Sequence, residues 1–333
     1  MNSLARKIGS TLLGLPQRLR QGAEPKNERE PLPPTKRNIW AERHLDPTYW
    51  QGLIHWGQVP TVDQYTNRRI SGDPAVNYIA YSAQRYFAPL RQNGPIRMVS
   101  LCSGVGQLEI SMGKQNLVDQ IVGYEVDGEC VAAANQLALS EGVADRVKFV
   151  QMDLNEGAFP DERFDIIFNE AALHHIANLE HLLTQCQKVC SPHTVFINHD
   201  YVGPNHHQWT EKQLFYINKI LSLLPPEFRR SLTNPGAIHE RKSALSMSEM
   251  LQIDPTEGVR AEETVRVMKQ FFDVSDFKPF GGTILHMLLN DMAGNFIAAE
   301  HESLVKMLVL LEESLIDEGI LTSDFAYWIA TPK

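Results

Sequence analysis

The chain has 333 residues, 43% hydrophobic and 21% charged. That composition excludes a mainly disordered, collagen-like or coiled-coil protein and leads us to expect a core domain with additions. Its 31 basic and 40 acidic side chains leave a formal charge of −9, which argues against a nucleic-acid partner. No window of 18 consecutive apolar residues occurs, so no transmembrane helix is expected. Cys102, Cys130, Cys186 and Cys190 are too few for a disulfide framework at this length and point to a reducing, cytoplasmic location.

Charge is spread unevenly. Residues 1–37 hold eight Lys/Arg and three Asp/Glu, a local +5 that leaves −14 on the rest. Met1–Arg20 carries Arg6, Lys7, Arg18 and Arg20 with Leu4, Ile8, Leu12 and Leu15 at roughly helical spacing. Gly9, Ser10, Thr11, Gly14 and Pro16 interrupt the apolar run a secretory signal would need. The favoured reading of 1–37 is a mobile tail; weak contact of residues 1–20 with a membrane surface is the alternative. Pro25, Pro31, Pro33 and Pro34 among charges make 21–37 a linker.

Residues 38–93 form a helical preface rich in aromatics, including Trp40, Trp56, Tyr78 and Tyr81. Asp73-Pro74 reads as an N-cap and first helical position, which predicts a helix over about 74–87. Asn93-Gly94-Pro95 ends the preface. Short apolar runs then alternate with helical patterns. Strands are expected at 96–101, 121–125, 147–151, 164–168 and 194–198, with helices at 107–116, 128–141 and 179–189. A helix at 210–224 and a polar stretch follow, then helices near 262–272, 285–290 and 302–317, with strands at 272–278 and 325–330. This order predicts an α/β fold: a Rossmann-like, mostly parallel seven-stranded sheet with helices on both faces. The main domain is expected to span 94–333, with a lid-like insertion after strand five at about 225–260.

Four segments follow successive strands and would lie along one sheet edge, where open α/β folds bind ligands. The first is the turn Ser100-Leu101-Cys102-Ser103-Gly104-Val105-Gly106. A third glycine for a dinucleotide fingerprint is absent; Glu109 stands there, where it would face a pyrophosphate. Glu125, about twenty residues further on, is placed to accept both ribose hydroxyls of an adenosine. Asp153 follows strand three and could take an adenine amino group. Asn169-Glu170-Ala171-Ala172-Leu173-His174-His175 follows strand four.

VSLCSGVGQLE, IVGYEVD, FVQMDLN and FDIIFNEAALHHI, in this order and spacing, resemble the class I S-adenosylmethionine-dependent methyltransferases. The resemblance covers roughly Ile96–Tyr201. It implies S-adenosyl-L-methionine as the cofactor, with Gly104 and Gly106 against its methionine part, Glu125 on ribose, and Asp153 and Leu154 by the adenine. Ser100, Cys102, Val126 and Asn169 complete the implied cofactor set. Ser100 stands where the family often has Asp, and Cys102 where it often has Gly. HDYVGPNHHQWTEKQL, FGGTILHMLLNDMAGNF and LIDEGILTSDFAYWIA are similar to bacterial members from polysaccharide and natural-product gene clusters, which implies a small-molecule or glycan acceptor.

Methyl transfer from a sulfonium needs positioning and exclusion of water, and a base only when the nucleophile arrives protonated. Candidate catalytic residues are therefore His174, His175, Asp200 and Tyr201, at the ends of strands four and five. One of the two histidines, with Asp200 or Tyr201, is expected to orient the acceptor beneath a cover formed by 227–255 and 39–93. No metal is expected, because the spacing of His199, His206 and His207 matches no ligand pattern. The alternatives are an NAD-dependent oxidoreductase and a non-catalytic binding protein on a methyltransferase fold. The sequence leaves open the acceptor, the atom methylated and the oligomeric state.

Overall fold

The computed structural model describes residues 39–46 and 53–333. The expected tail at 1–37, with its membrane-contact alternative, lies outside the described residues.

Seven strands form one sheet in the order β3-β2-β1-β4-β5-β7-β6. They are β1 (Arg97–Leu101), β2 (Gln120–Glu125), β3 (Val147–Gln151), β4 (Phe164–Glu170), β5 (Cys190–Tyr201), β6 (Phe272–Gly281) and β7 (Phe325–Pro332). β1 through β5 pair in parallel, whereas β7 runs antiparallel to both β5 and β6. The central strands are buried on both faces, which is why β1 and β4 read as nearly continuous apolar runs rather than alternating ones. The order reverses between β1 and β4, so the loops after them open a crevice at the strands' carboxyl ends.

Helices cover both faces. α1 (Ile39–Leu45), α2 (Pro60–Ser71) and α3 (Tyr78–Ser82) belong to the preface. α4 (Gln107–Lys114), α5 (Gly128–Ser140) and α6 (Leu179–Lys188) are the crossovers of the parallel sheet. α7 (Glu211–Leu223), α8 (Met247–Ile253), α9 (Thr264–Phe271), α10 (Leu285–Leu289) and α11 (Glu302–Asp317) complete the described helices. One core joins Trp56, Tyr65, Ile70 and Ile79 of the preface to Met98, Ile121 and Phe168 of the sheet. A second, on the opposite face, joins Val99, Ile167 and Phe196 to α6 and α9. The preface is thus part of the main core.

Three local expectations are corrected. The helix expected from Pro74 begins at Tyr78 instead, because the Asn77 side chain accepts the Ala80 N–H as N-cap. Asp73 closes only a turn, accepting from the Ala75 N–H at 2.9 Å. The helix before it is α2, with Pro60 at its first position and Gly72 ending it in the left-handed conformation at φ 84°. β5 runs from Cys190, longer than expected, because Thr194 Oγ1 bonds the Phe164 carbonyl and keeps the irregular start paired with β4.

Within 225–260, Asp291 accepts from Leu232 N, Thr233 N, Ser231 Oγ and His239 Nε2. That carboxylate pins the basic stretch against the loop after α10, and Arg229 pairs with Glu240.

Candidate active site

A cavity of about 1430 Å³ opens along the carboxyl ends of the parallel strands. Its floor at one end is the turn after β1. Cys102 and Gly104 both have positive φ, at 48° and 53°, which folds the backbone back so that Gly104 N–H donates to Glu125 Oε2 at 2.9 Å. Asp127 N–H donates to Glu125 Oε1 at 3.0 Å. Each carboxylate oxygen is held by one backbone donor and keeps a lone pair for a ligand. Burial pushes the Glu125 carboxyl up, and the backbone N–H groups of Asp127, Gly104 and Val126 pull it back.

Beside Glu125 the cavity is walled by Val126, Met152, Asp153 and Leu154. Val126 is 51% exposed, a large apolar side chain left open where the flat face of a ring would cover it. Asp153 Oδ1 accepts from Asn155 N and Nδ2 at 2.8 and 3.0 Å, which fixes the carboxylate in the wall.

Three expected cofactor contacts are not at the cavity. Ser100 is buried and donates to Glu109 Oε1 at 2.6 Å. Asn169 is wholly buried; it donates to Asp200 Oδ2 at 2.9 Å and accepts from the Ala172 and Leu173 N–H groups. It shapes the turn after β4 from below. Gly106 caps α4 at φ 71°, and a Cβ there would lie 2.1 Å from the Phe149 ring. Its glycine serves helix–sheet packing. Glu109, the acid at the position of the absent third glycine, is buried at 3% exposure.

The other end of the cavity holds the four expected catalytic residues together. His174 Nδ1 lies 2.5 Å from Asp200 Oδ1. Asp200 also accepts from Leu173 N at 2.8 Å and Tyr201 N at 2.7 Å. Tyr201 donates its hydroxyl to the Pro204 carbonyl at 2.9 Å and lines the cavity wall. His175 Nδ1 meets Thr256 Oγ1 at 3.2 Å. Burial works against charge on His174, but Asp200 and Glu257 outweigh it and hold the imidazole up at about 10. Burial lowers the half-buried His175 and His207 to about 4.

Sequence reasoning missed how many histidines converge. Seven of the twelve line this one cavity: His44, His55, His174, His175, His199, His207 and His286. His199 is stacked between Tyr78 and Phe280, with ring centroids 4.2 and 4.6 Å away. Its Nδ1 lies 3.1 Å from Glu170 Oε2, at the distance but not the alignment of a hydrogen bond. Glu257 was missed as well. Its signal would have been an acid between Thr256 and Gly258, but it sits two residues past the stretch expected to form the cover. No residue of 227–255 lines the cavity; Thr256 and Glu257 do, together with the preface residues Trp40, His44, His55, Trp56 and Tyr78. The cover is therefore mainly the preface, while residues 231–239 are bound to Asp291 away from the cavity.

The methyltransferase domain family matches residues 99–198, the stretch from β1 into β5 that carries the Glu125 cradle and the turn of His174. The chain thus carries a methyltransferase domain over these residues. It is 32% identical over 104 residues to 27-O-demethylrifamycin SV methyltransferase of Amycolatopsis mediterranei (strain S699), covering 31% of this chain and 37% of that one. It is 26% identical over 97 residues to the ubiquinone/menaquinone biosynthesis C-methyltransferase UbiE of Pseudomonas fluorescens (strain SBW25), covering 29% of this chain and 38% of that one. The chain thus aligns with less than half the length of these curated relatives. Among solved structures, the [4+2]-cyclase SpnF superposes with a TM-score of 0.42 at 14% identity, over 84% of this chain and 97% of that one. Among the described residues, no helix is long and apolar enough to cross a membrane.

Proposed function

We propose that the protein transfers a methyl group from S-adenosylmethionine to a small-molecule acceptor in the cytoplasm. The observation that carries this reading is that the Glu125 cradle and the imidazole wall belong to one cavity. Its volume exceeds the range of roughly 300–1,000 Å³ of sites for one drug-sized ligand, so donor and acceptor fit side by side.

The residues present fit the cofactor. Glu125 offers paired acceptor oxygens for vicinal hydroxyls, Asp153 an acceptor for an exocyclic amine, and Val126, Met152 and Leu154 apolar cover for a ring. The turn at Cys102–Gly104 lies beside them, where the methionine end would rest. When bound, the cofactor supplies a methyl group already activated for displacement. The chain's task is then to align the acceptor, exclude water and remove a proton. Trp56, Tyr78, Phe280 and Phe325 line the acceptor end, which favours an acceptor with an apolar body carrying a nucleophilic oxygen or nitrogen over a fully polar glycan. Asp200, fixed by Asn169 and two backbone N–H groups, positions His174, which orients the nucleophile. An imidazole of the wall receives the proton.

Calorimetry with S-adenosylmethionine and NAD in parallel tests the reading. One equivalent of S-adenosylmethionine should bind and NAD should not. Equal affinity for both, or no binding of S-adenosylmethionine to folded protein, would overturn it.

A further inference from the structure

We propose that His174, His207 and Glu257, with His175 as a fourth donor, form a site for a divalent first-row transition ion such as zinc at the acceptor end of the cavity. The metal site itself stands on geometry alone; its role toward the acceptor rests on the methyltransferase reading.

Glu257 Oε1 is 3.4 Å from His174 Nε2 and 3.4 Å from His207 Nε2. Both separations are too long for charge-assisted hydrogen bonds, which run about 2.7–2.9 Å. They match the edge of a tetrahedron whose metal–ligand bonds are about 2.0–2.1 Å, which is roughly 3.3–3.4 Å. His174, His175 and Glu257 each offer a ligand atom within 4.8 Å of the others.

The outer contacts select the right tautomers. His174 Nδ1–H is directed at Asp200, so a cation entering the site displaces the Nε2 proton and takes that nitrogen's lone pair beside Glu257. Thr256 Oγ1 donates to Asp254 Oδ1 at 2.7 Å, so it accepts from His175 Nδ1–H and leaves that ring's Nε2 lone pair free. Metal-bound histidines characteristically donate their second N–H to such a partner.

The donors come from three turns locked to one another. Val259 N–H donates to the His174 carbonyl at 3.0 Å, and His206 N–H to the Gly258 carbonyl at 2.9 Å. His206 and His207 both adopt left-handed backbone, at φ 50° and 52°. Two consecutive non-glycine residues there carry strain of the kind found at functional sites, and this turn places His207 beside Glu257. Imidazole nitrogens with one carboxylate suit zinc, iron, nickel or copper rather than magnesium or calcium. All four donors line the cavity, so an open coordination position would meet the acceptor. A bound cation there would hold an acceptor oxygen and make its proton easier to lose.

Chelator-treated full chain titrated with Zn²⁺, and separately with Co²⁺, tests the site. One equivalent should bind, and Co²⁺ should give the intense visible bands of tetrahedral coordination without a thiolate charge-transfer band. Excess Mg²⁺ should not displace it. Glu257→Gln and His207→Gln should each weaken Zn²⁺ binding at least 100-fold. Thr256→Val, at an exposed position, should weaken it about 10-fold while leaving the fold undisturbed. Absence of stoichiometric binding, thiolate bands, or affinity unchanged across the three variants would overturn the proposal. Calorimetry with S-adenosylmethionine on the same metal-free sample separates the two readings: cofactor binding without metal binding overturns only the metal site, and the converse only the cofactor assignment.

Discussion

Glu125 does two jobs with one carboxylate. It receives the Gly104 and Asp127 N–H groups, holding the turn after β1, and it faces the cavity. Glu125→Ala should weaken S-adenosylmethionine binding by about 1.5–3 kcal/mol, the scale of hydrogen bonds to a charged group. Calorimetry on a variant with native circular dichroism measures it, and unchanged affinity would remove Glu125 from the cofactor site. Glu109 is an acid of another kind. Burial raises it to about 7, although the Ser100 hydroxyl and a backbone N–H favour the anion. The folded state therefore keeps a proton between about pH 4.5 and 7 that the unfolded chain has lost, so this group makes stability fall as pH rises through that window. Glu109→Gln has no such titration. Relative to the native chain it should gain on the order of 3 kcal/mol between pH 4.5 and 7.5. Paired denaturant titrations at the two pH values check this; a pH-independent difference would show that Glu109 titrates normally.

At the scale of elements, the cavity's walls depend on how short segments are terminated. Glu312 of α11 is wholly buried and accepts from Gly282 N, Ile284 N and Leu285 N at 2.7–2.8 Å. It holds the start of α10, the helix that carries His286 into the cavity. Burial raises its pKa while the three N–H groups oppose the rise. Glu312→Ala would leave three buried donors without a partner, each worth roughly 1–3 kcal/mol. A loss of about 3 kcal/mol or more in chemical denaturation is expected, with Glu312→Gln milder; a loss below about 1 kcal/mol would show that water or another group takes over. Arg68 and Arg69 of α2 pair with Glu313 and Asp317 of the same α11, which makes the basic dipeptide a strut between two helices.

At the scale of the whole molecule, the division into a preface and a main domain is one of sequence pattern more than of packing. Trp56, Val62, Tyr65, Ile70, Ile79 and Phe87 are all buried in the core that includes β1, β2 and β4. A fragment of residues 94–333 would expose that face of the sheet and lose one wall of the cavity. It should be recovered aggregated or without cooperative unfolding. A soluble 94–333 fragment that melts cooperatively and still binds S-adenosylmethionine would show that the preface is dispensable.

The strand–turn–helix order, the positions of Glu125, Asp153, His174 and Asp200, and the seven strands were legible in the sequence because each depends on neighbours a few residues away: apolar runs, glycine at positive φ, acids at strand ends. Local pattern also misled. Asp73-Pro74 carries every mark of a helix start, yet Asn77 supplies the cap, since the choice between two adequate caps is made by what the helix packs on. Ser100, Gly106 and Asn169 occupy motif positions but face the interior, because motif position places a residue on an element without saying which way its side chain points. Only the tertiary structure decided that Glu257 and His207 join His174, and that the preface rather than 227–255 covers the cavity. Those pairings span tens to hundreds of residues. They are settled by which loops the sheet's strand order brings side by side, a property that no local spacing encodes.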